Sequence, residues 1–231
     1  MKAIILAAGK GERLGTLSSM IPKTMLKIFD KPILQHNIEL CTKYGITDIY
    51  INLHHLPHII MKYFGNGEKF GVNIKYAYEK ELLGTSGAVK NITKQYPDFN
   101  KNPFYVLYGD NYSDYNLNSL KSDSLTIAFH HREDVSNSGV AEFDENNKIL
   151  SFIEKPKMKT MSHWVNAGIY YMVPEILNYI PDGYSDFSND IFPKLLNENI
   201  PFYGVCSETN VKAFDTLEML NDNNIIVDNI L

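Results

Sequence analysis

The chain is poor in cysteine: Cys41 and Cys206 are the two in 231 residues, and neither sits in a C-x-x-C pair. That spacing speaks against a metal or redox role and predicts two free, buried thiols in a reducing cytoplasm. Long apolar runs are missing too. The opening stretch Ala3–Leu6 is too short for a membrane span. It runs straight into a glycine-rich segment, so it reads as a buried strand and not as a signal peptide. There is no excess of basic charge, since 22 Lys and Arg face 27 Asp and Glu for a net charge of −5. A field that would draw in nucleic acid or an anionic membrane is therefore absent. A phosphate-rich ligand would need a local cluster of cations and backbone amides. No internal repeat, low-complexity stretch or Pro/Gly/Ser linker divides the chain, and one domain is expected.

What is present is alternation. The hydrophobic fraction of 44% is ordinary for a globular protein and allows a sizeable core. Ala3–Leu6 reads as a strand buried on both faces. Pro32 opens a helix carrying Leu34, Ile38 and Cys41 on one face, with Gly45 as its stop. Strands follow at Asp48–Leu53, Val72–Tyr78 and Phe104–Leu107, with helices at Leu56–Phe64 and Thr85–Tyr96 between them. This alternation predicts an α/β fold with a doubly wound, Rossmann-like mixed sheet flanked by helices. After about residue 122 the pattern turns strand-rich: Leu125–Arg132, Gly139–Phe143, Ile149–Glu154 and Val165–Met172. Helices over Ser188–Asn199 and Thr216 to about Val227 are expected to close the chain. This shift marks two halves of the domain, residues 1–122 and 123–231.

The segment Gly9-Lys10-Gly11-Glu12-Arg13-Leu14-Gly15 follows the first strand directly. Glycines let a backbone approach phosphates closely, and its amides donate to them. The spacing is G-x-G-x-x-x-G, which departs from the dinucleotide fingerprint, and the Walker pattern is absent. The residues leading to Pro22-Lys23 look too broken for an immediate helix. By itself such a loop is equally a surface turn, and Lys23 by itself a solvated lysine. Arg13 as a planar fork and Lys23 as a point charge beside the amides make a triphosphate site out of the combination.

Leu6-Ala7-Ala8-Gly9-Lys10-Gly11-Glu12-Arg13-Leu14 followed by Pro22-Lys23 resembles the signature of the sugar-1-phosphate nucleotidyltransferases, with members acting on mannose or heptose 1-phosphate among them. The resemblance runs on through Lys31-Pro32-Ile33-Leu34, residues 79–88, Tyr108-Gly109-Asp110, Glu154-Lys155-Pro156 and Asn166-Ala167-Gly168. It implies that residues 1–122 form a nucleotide-binding half and 123–231 a sugar-binding half, with a nucleotide site of Leu6, Ala7, Ala8, Gly9, Gly11, Glu12, Arg13, Lys23, Glu79, Gly84 and Thr85. On the sugar-phosphate side it implies Gly109, Glu154, Lys155, Asn166 and Gly168. Catalysis would fall to Arg13, Lys23 and Asp110.

Asp110 ends a strand predicted to be parallel, where the ligand crevice of such sheets lies. That place suits a Mg²⁺ ligand, and the resemblance implies the same role. The family's second metal carboxylate belongs to an Asp-x-Gly-Thr motif. The nearest match is Phe214-Asp215-Thr216, which lacks the glycine, so Asp215 is either the second ligand or a plain helix cap. On the acceptor side, Lys155 would pair with the phosphate, Glu154 with sugar hydroxyls, and Asn166 with either partner of a hydroxyl. Thr85 or Ser86 would cap its helix, whose end would face base or ribose. His54, His55 and His58 lack zinc-ligand spacing and read as solvated loop histidines.

The reaction so implied needs a nucleoside triphosphate, a sugar 1-phosphate and Mg²⁺, in the cytoplasm, with no nucleic acid or membrane and with a homodimer allowed. Leu83-Gly84-Thr85-Ser86-Gly87-Ala88 looks most like members using GTP with a mannose- or heptose-type phosphate, and is also similar to uridylyltransferases acting on amino-sugar phosphates. With the sequence ending at Leu231, the β-helical acyltransferase domain of some members is not expected. Cytidylyl transfer to a phosphorylated alcohol such as phosphocholine, and a non-catalytic nucleotide-binding regulatory subunit, are the rival readings.

Overall fold

The computed structural model describes residues 1–158 and 160–214. In chain order its elements are β1 (Lys2–Leu6), α1 (Thr16–Met20), β2 (Lys27–Ile28), β3 (Lys31–Pro32), α2 (Ile33–Lys43), β4 (Asp48–Leu53), α3 (Pro57–Phe64) and β5 (Asn73–Tyr78). There follow α4 (Gly84–Gln95), β6 (Phe104–Tyr108), β7 (Asn111–Ser113), β8 (Thr126–His131), β9 (Gly139–Phe143), β10 (Ile149–Glu154), β11 (Trp164–Met172), α5 (Phe192–Asn197), β12 (Tyr203–Ser207) and β13 (Val211–Ala213). The fold is α/β, with a mixed sheet flanked by helices. The chain forms two compact units. One comprises Met1–Leu82, Leu107–Asp114 and the chain from Val211; the other comprises Leu83–Val106 and Tyr115–Asn210.

In the first unit β1 pairs in parallel with β4 and β4 with β5. Ala3, Ile4 and Ile5 are fully buried, as a two-sided apolar strand must be. On α2 the predicted face is inside: Leu34, Ile38 and Cys41 are buried, and Gly45 follows at φ 72°. The β2–β3 hairpin turns on Phe29 and Asp30, both at positive φ, the backbone that a two-residue hairpin turn requires. β7 pairs antiparallel with β13, setting Asn111 opposite Ala213.

In the second unit β8 lies between antiparallel β11 and parallel β12. β9 pairs antiparallel with β10, and Val140 meets Val165 of β11. Its core is aromatic. Phe192 stacks on Phe187 at 5.8 Å and on Phe202 at 5.7 Å, and meets Phe152 edge-on at 4.9 Å.

Several expectations are corrected. The glycine segment does lead into helix: a 3₁₀ turn at Glu12–Leu14 and then the five-residue α1, because Gly11 and Gly15 at positive φ reset the chain at each start. Neither Thr85 nor Ser86 caps α4, which begins at Gly84 with no side-chain cap. Its Ser86 and Gly87 amides donate to the Ser185 carbonyl instead. The late helix starts earlier, as a π-helical turn over Phe187–Ile191 capped by Asp186, and only then becomes α5. Cys206 is half-buried and not enclosed like Cys41, although both are free. The expected helix from Thr216 lies outside the described residues.

Candidate active site

The first unit gathers most of the nucleotide-side residues at the carboxyl ends of β1, β4 and β5. β1 stops at Leu6, and the Leu6 carbonyl accepts the Gly109 amide at 2.9 Å. A Cβ on Gly109 would stand 2.8 Å from that oxygen, so only glycine permits the contact. The turn that ends in Asp110 is thereby fastened to the start of the glycine loop. Asn37 fastens it from the other side: its Nδ2 donates to the Asn111 carbonyl at 3.0 Å and lies 3.4 Å from that of Gly109.

Lys23 is not a solvated surface lysine. It is 6% exposed, and its Nζ reaches Asp110 Oδ2 at 2.5 Å. An ammonium removed from water requires such a partner. The 3₁₀ turn Lys23–Met25 carries it, and Gly11 backs onto it. With φ at 65°, a Cβ on Gly11 would sit 3.2 Å from Lys23 Cβ. The loop glycine, the lysine and the acid therefore form one contact set. Gly9, Glu12 and Arg13 are exposed, while Ala7 and Ala8 are buried. β13 ends at Ala213 opposite Asn111, the residue after Asp110. Asp215 lies outside the described residues.

Glu79 is 2% exposed and follows β5. Its amide donates to the Leu53 carbonyl at 2.7 Å, and its Oε1 accepts from Asn52 Nδ2 at 2.8 Å. His54 and His55 are half-buried and bond backbone carbonyls, of Glu79 at 2.9 Å and of Ser18 at 2.6 Å. They are pinned in place and only partly solvated.

The second unit holds Gly84, Thr85, Glu154, Lys155, Asn166 and Gly168. Thr85 Oγ1 donates to Asp186 Oδ2 at 2.7 Å and accepts the Phe187 amide at 2.9 Å. Asp186 Oδ1 accepts the Ser188 amide at 2.9 Å. Ser188 in turn hydrogen-bonds Glu154. Burial pushes the Glu154 carboxyl above its usual range and the Asp186 charge adds to that, while Ser188 and Lys155 oppose it. Gly139 stands opposite Glu154 in the β9–β10 ladder, and a Cβ there would come within 2.8 Å of Glu154 Oε2. Lys155 is exposed, with φ at 48° and its amide on the Ser138 carbonyl. A left-handed lysine is an uncommon conformation of a kind that clusters at ligand sites. Asn166 opens a bulge in β11: its Oδ1 accepts the Gly168 amide and its Nδ2 donates to the Tyr170 hydroxyl, both at 2.9 Å. Gly168, at φ 70°, supplies the bend.

Asn37, Asn52, Gly139, Asp186 and Ser188 were not read from the sequence. For the two asparagines a signal existed, a polar side chain on the apolar face of α2 and inside the apolar strand β4. For Asp186 and Gly139 the relevant partner is remote in sequence, and no local pattern marks it.

Among the described residues, no helix is long and apolar enough to cross a membrane.

The nucleotidyl transferase family model matches residues 2–212, and the chain belongs to that family. It is 39% identical over 224 residues to a UTP–glucose-1-phosphate uridylyltransferase of Synechocystis, covering 89% of this chain and 58% of the relative. It is 38% identical over 180 residues to a D-glycero-α-D-manno-heptose 1-phosphate guanylyltransferase of Campylobacter jejuni, covering 77% and 78%. Among solved structures, HddC from Yersinia pseudotuberculosis complexed with GMP-PN superposes with a TM-score of 0.79 at 25% identity, over 96% of this chain and 97% of that one. The chain spans 57% of the length of the mannose-1-phosphate guanyltransferase of Candida glabrata, a third relative at 33% identity over 207 residues.

Proposed function

We propose that this chain transfers a nucleoside monophosphate from a nucleoside triphosphate to a sugar 1-phosphate. The observation that carries the reading is the Lys23–Asp110 pair set against Gly11 at the end of β1. A buried cation and a carboxylate beside a loop of small residues suit a triphosphate and its counter-ion. A phosphate oxygen of the sugar 1-phosphate attacks the α-phosphorus, the bond from that phosphorus to the α–β bridging oxygen breaks, and pyrophosphate leaves with the bond's electron pair. The nucleophile is already anionic, so catalysis reduces to positioning and charge stabilisation. Lys23 and Arg13 act on the triphosphate, with Glu79, Gly84 and Thr85 on the nucleoside. Glu154 and Lys155 act on the acceptor, Glu154 accepting from sugar hydroxyls and Lys155 facing the phosphate.

Asp110 suits Mg²⁺, a hard ion that takes one or two carboxylates alongside substrate oxygens and waters. Its side chain is 34% exposed and follows β6, so the carboxylate is open to solvent as well as to Lys23. Asp215 would be the second ligand, supported by the β7–β13 ladder that runs its approach beside Asn111. Bound there, Mg²⁺ supplies positive charge to the triphosphate oxygens.

GTP with a mannose- or heptose-type phosphate is the first substrate pair to test. The uridylyltransferase relative favours UTP with glucose 1-phosphate as the second. A matrix of four nucleoside triphosphates against several sugar 1-phosphates, read by pyrophosphate release, decides between them. No release with any pair would discard the enzymatic reading in favour of a nucleotide-binding subunit. Release only with a phosphorylated alcohol such as phosphocholine would discard the sugar. Lys23→Ala should lower kcat/KM by about 10²-fold or more, as expected when a charge contact to the transition state is lost. A Mg²⁺ titration of initial rate tests the ligands: Asp110→Asn and Asp215→Asn should both demand more Mg²⁺. A curve unmoved by Asp215→Asn reduces that residue to a cap.

A further inference from the structure

Asn52 has no part in the assignments above, yet it is 3% exposed near the carboxyl end of the apolar strand β4. Both ends of its amide are committed. Oδ1 accepts the Ala7 amide at 2.7 Å, and Nδ2 donates to Glu79 Oε1 at 2.8 Å. A backbone N–H only donates, so the Asn52 amide has a single orientation, with its oxygen on Ala7 and its NH2 on Glu79. The need arises at one place. In the ladder Leu6 is the last residue of β1 opposite β4, and its partner there is Asn52 itself. One residue on, the chain leaves the sheet for the glycine loop while Ala7 is still buried. Its N–H must find an acceptor outside the ladder. On the other flank Asn52 pairs with Ala77 of β5, two residues before Glu79. The asparagine thus stands between the first peptide of the loop and the buried carboxylate.

We propose that Asn52 is a positioning residue of the nucleotide site, fixing the departure of the glycine loop and the plane of the Glu79 carboxylate as one unit. The proposal rests on the assignment of that loop and of Glu79 to a nucleoside triphosphate. Asn52 itself touches no substrate.

The test is calorimetric titration of GTP, UTP, CTP and ATP into four forms of the full chain: wild type, Asn52→Asp, Glu79→Gln and the double variant. Asn52→Asp keeps an acceptor for Ala7 but sets a second carboxyl against Glu79, and should weaken the best-bound triphosphate about tenfold. In the Glu79→Gln background the same change should cost less than about threefold. There the side-chain amide introduced on β5's flank can donate to the carboxylate introduced on β4, and the pair works with reversed polarity. Both members of that comparison carry the Glu79→Gln change, so any direct contact of Glu79 with the nucleotide cancels. KM for the sugar 1-phosphate should stay unchanged in Asn52→Asp. A tenfold loss in both backgrounds, no loss in the native one, or a parallel rise in the acceptor KM would each overturn the proposal. If Asn52→Asp alone does not fold, rescue decides it: a double variant that folds and binds on a par with Glu79→Gln supports the linked unit, and one that does not fold or binds tenfold worse refutes it. A wild-type chain that binds none of the four triphosphates would remove the nucleotide reading, and the proposal with it. Wild-type binding left intact by Asn52→Asp would remove the proposal alone.

Discussion

Glu154 shows how a single side chain is held at a cost to the fold. Desolvation raises its carboxyl pKa, the neighbouring Asp186 charge adds to this, and the Ser188 hydrogen bond and Lys155 only partly offset it. The raised value means the native state holds its proton to higher pH than the unfolded chain does. Below the ordinary carboxylate range both states are protonated and the group is neutral in stability. As pH rises through the raised value the native state must ionise a desolvated group, and stability is lost. Glu154→Gln should therefore raise the melting temperature at pH 7 and leave it nearly unchanged at pH 4, measured by thermal denaturation. On the proposed acceptor role the same variant should raise KM for the sugar phosphate well above any change for the nucleotide. A variant that melts no higher at pH 7 would show the native carboxylate to be well solvated.

At the scale of elements, the start of α4 is defined by contacts that permit no side chain. A Cβ on Gly87 would fall 2.2 Å from the Gly183 carbonyl oxygen, and one on Gly84 would fall 2.3 Å from that of Ser185. Gly84 also has φ at 72°. The Ser185 carbonyl takes the amides of both Ser86 and Gly87, and Ser86 Oγ meets Ser185 Oγ at 2.7 Å. Amides that would otherwise suit an anion at the helix end are therefore engaged by the protein. Gly87→Ala should destabilise by about 2 kcal/mol or more, since backbone has to move to clear the methyl. Chemical denaturation reads this as a lower midpoint at constant m-value. A loss under about 0.5 kcal/mol, typical of surface changes, would mean the 183–185 segment yields freely.

At the scale of the whole molecule, a buried histidine contributes to acid sensitivity. His130 on β8 is 6% exposed, and burial, with help from the charges of Arg132 and His131, pushes its pKa down to about 4. The unfolded chain takes up that proton near the ordinary value of 6.5. Between those values the unfolded state binds more protons, so stability falls as pH drops from about 6.5 towards 4. At about 1.4 kcal/mol per unit the loss approaches 3 kcal/mol, with Glu154 returning part of it over the acid side. Unfolding free energy measured between pH 7 and 4.5 should decline in the wild type and decline less in His130→Gln. Equal slopes would assign the acid sensitivity to other groups.

The glycine loop, Lys23 and Asp110 were legible as candidates because chain chemistry at short range marks them: a buried apolar strand, then glycines, then cations, and an acid at the end of another strand; the burial of Lys23 against Asp110 was not. The longer strands and α2, α3 and α4 were legible for the same reason, since periodicity is local; β4, β9 and β10 fall at the predicted residues, while β2, β3, β7 and β13 are too short to show a period. The short helix α1 and the π-helical turn at Phe187 were not, because positive-φ glycines and an aspartate cap decided them against the periodic pattern. The polar groups that hold the site belong wholly to the tertiary structure. Asn52 joins Ala7 and Glu79 across three strands, Asp186 reaches back to Thr85, and Gly139 makes room for Glu154. In each case a buried donor, acceptor or volume is matched by a partner that only the folded chain brings near, and a linear pattern carries no record of that match.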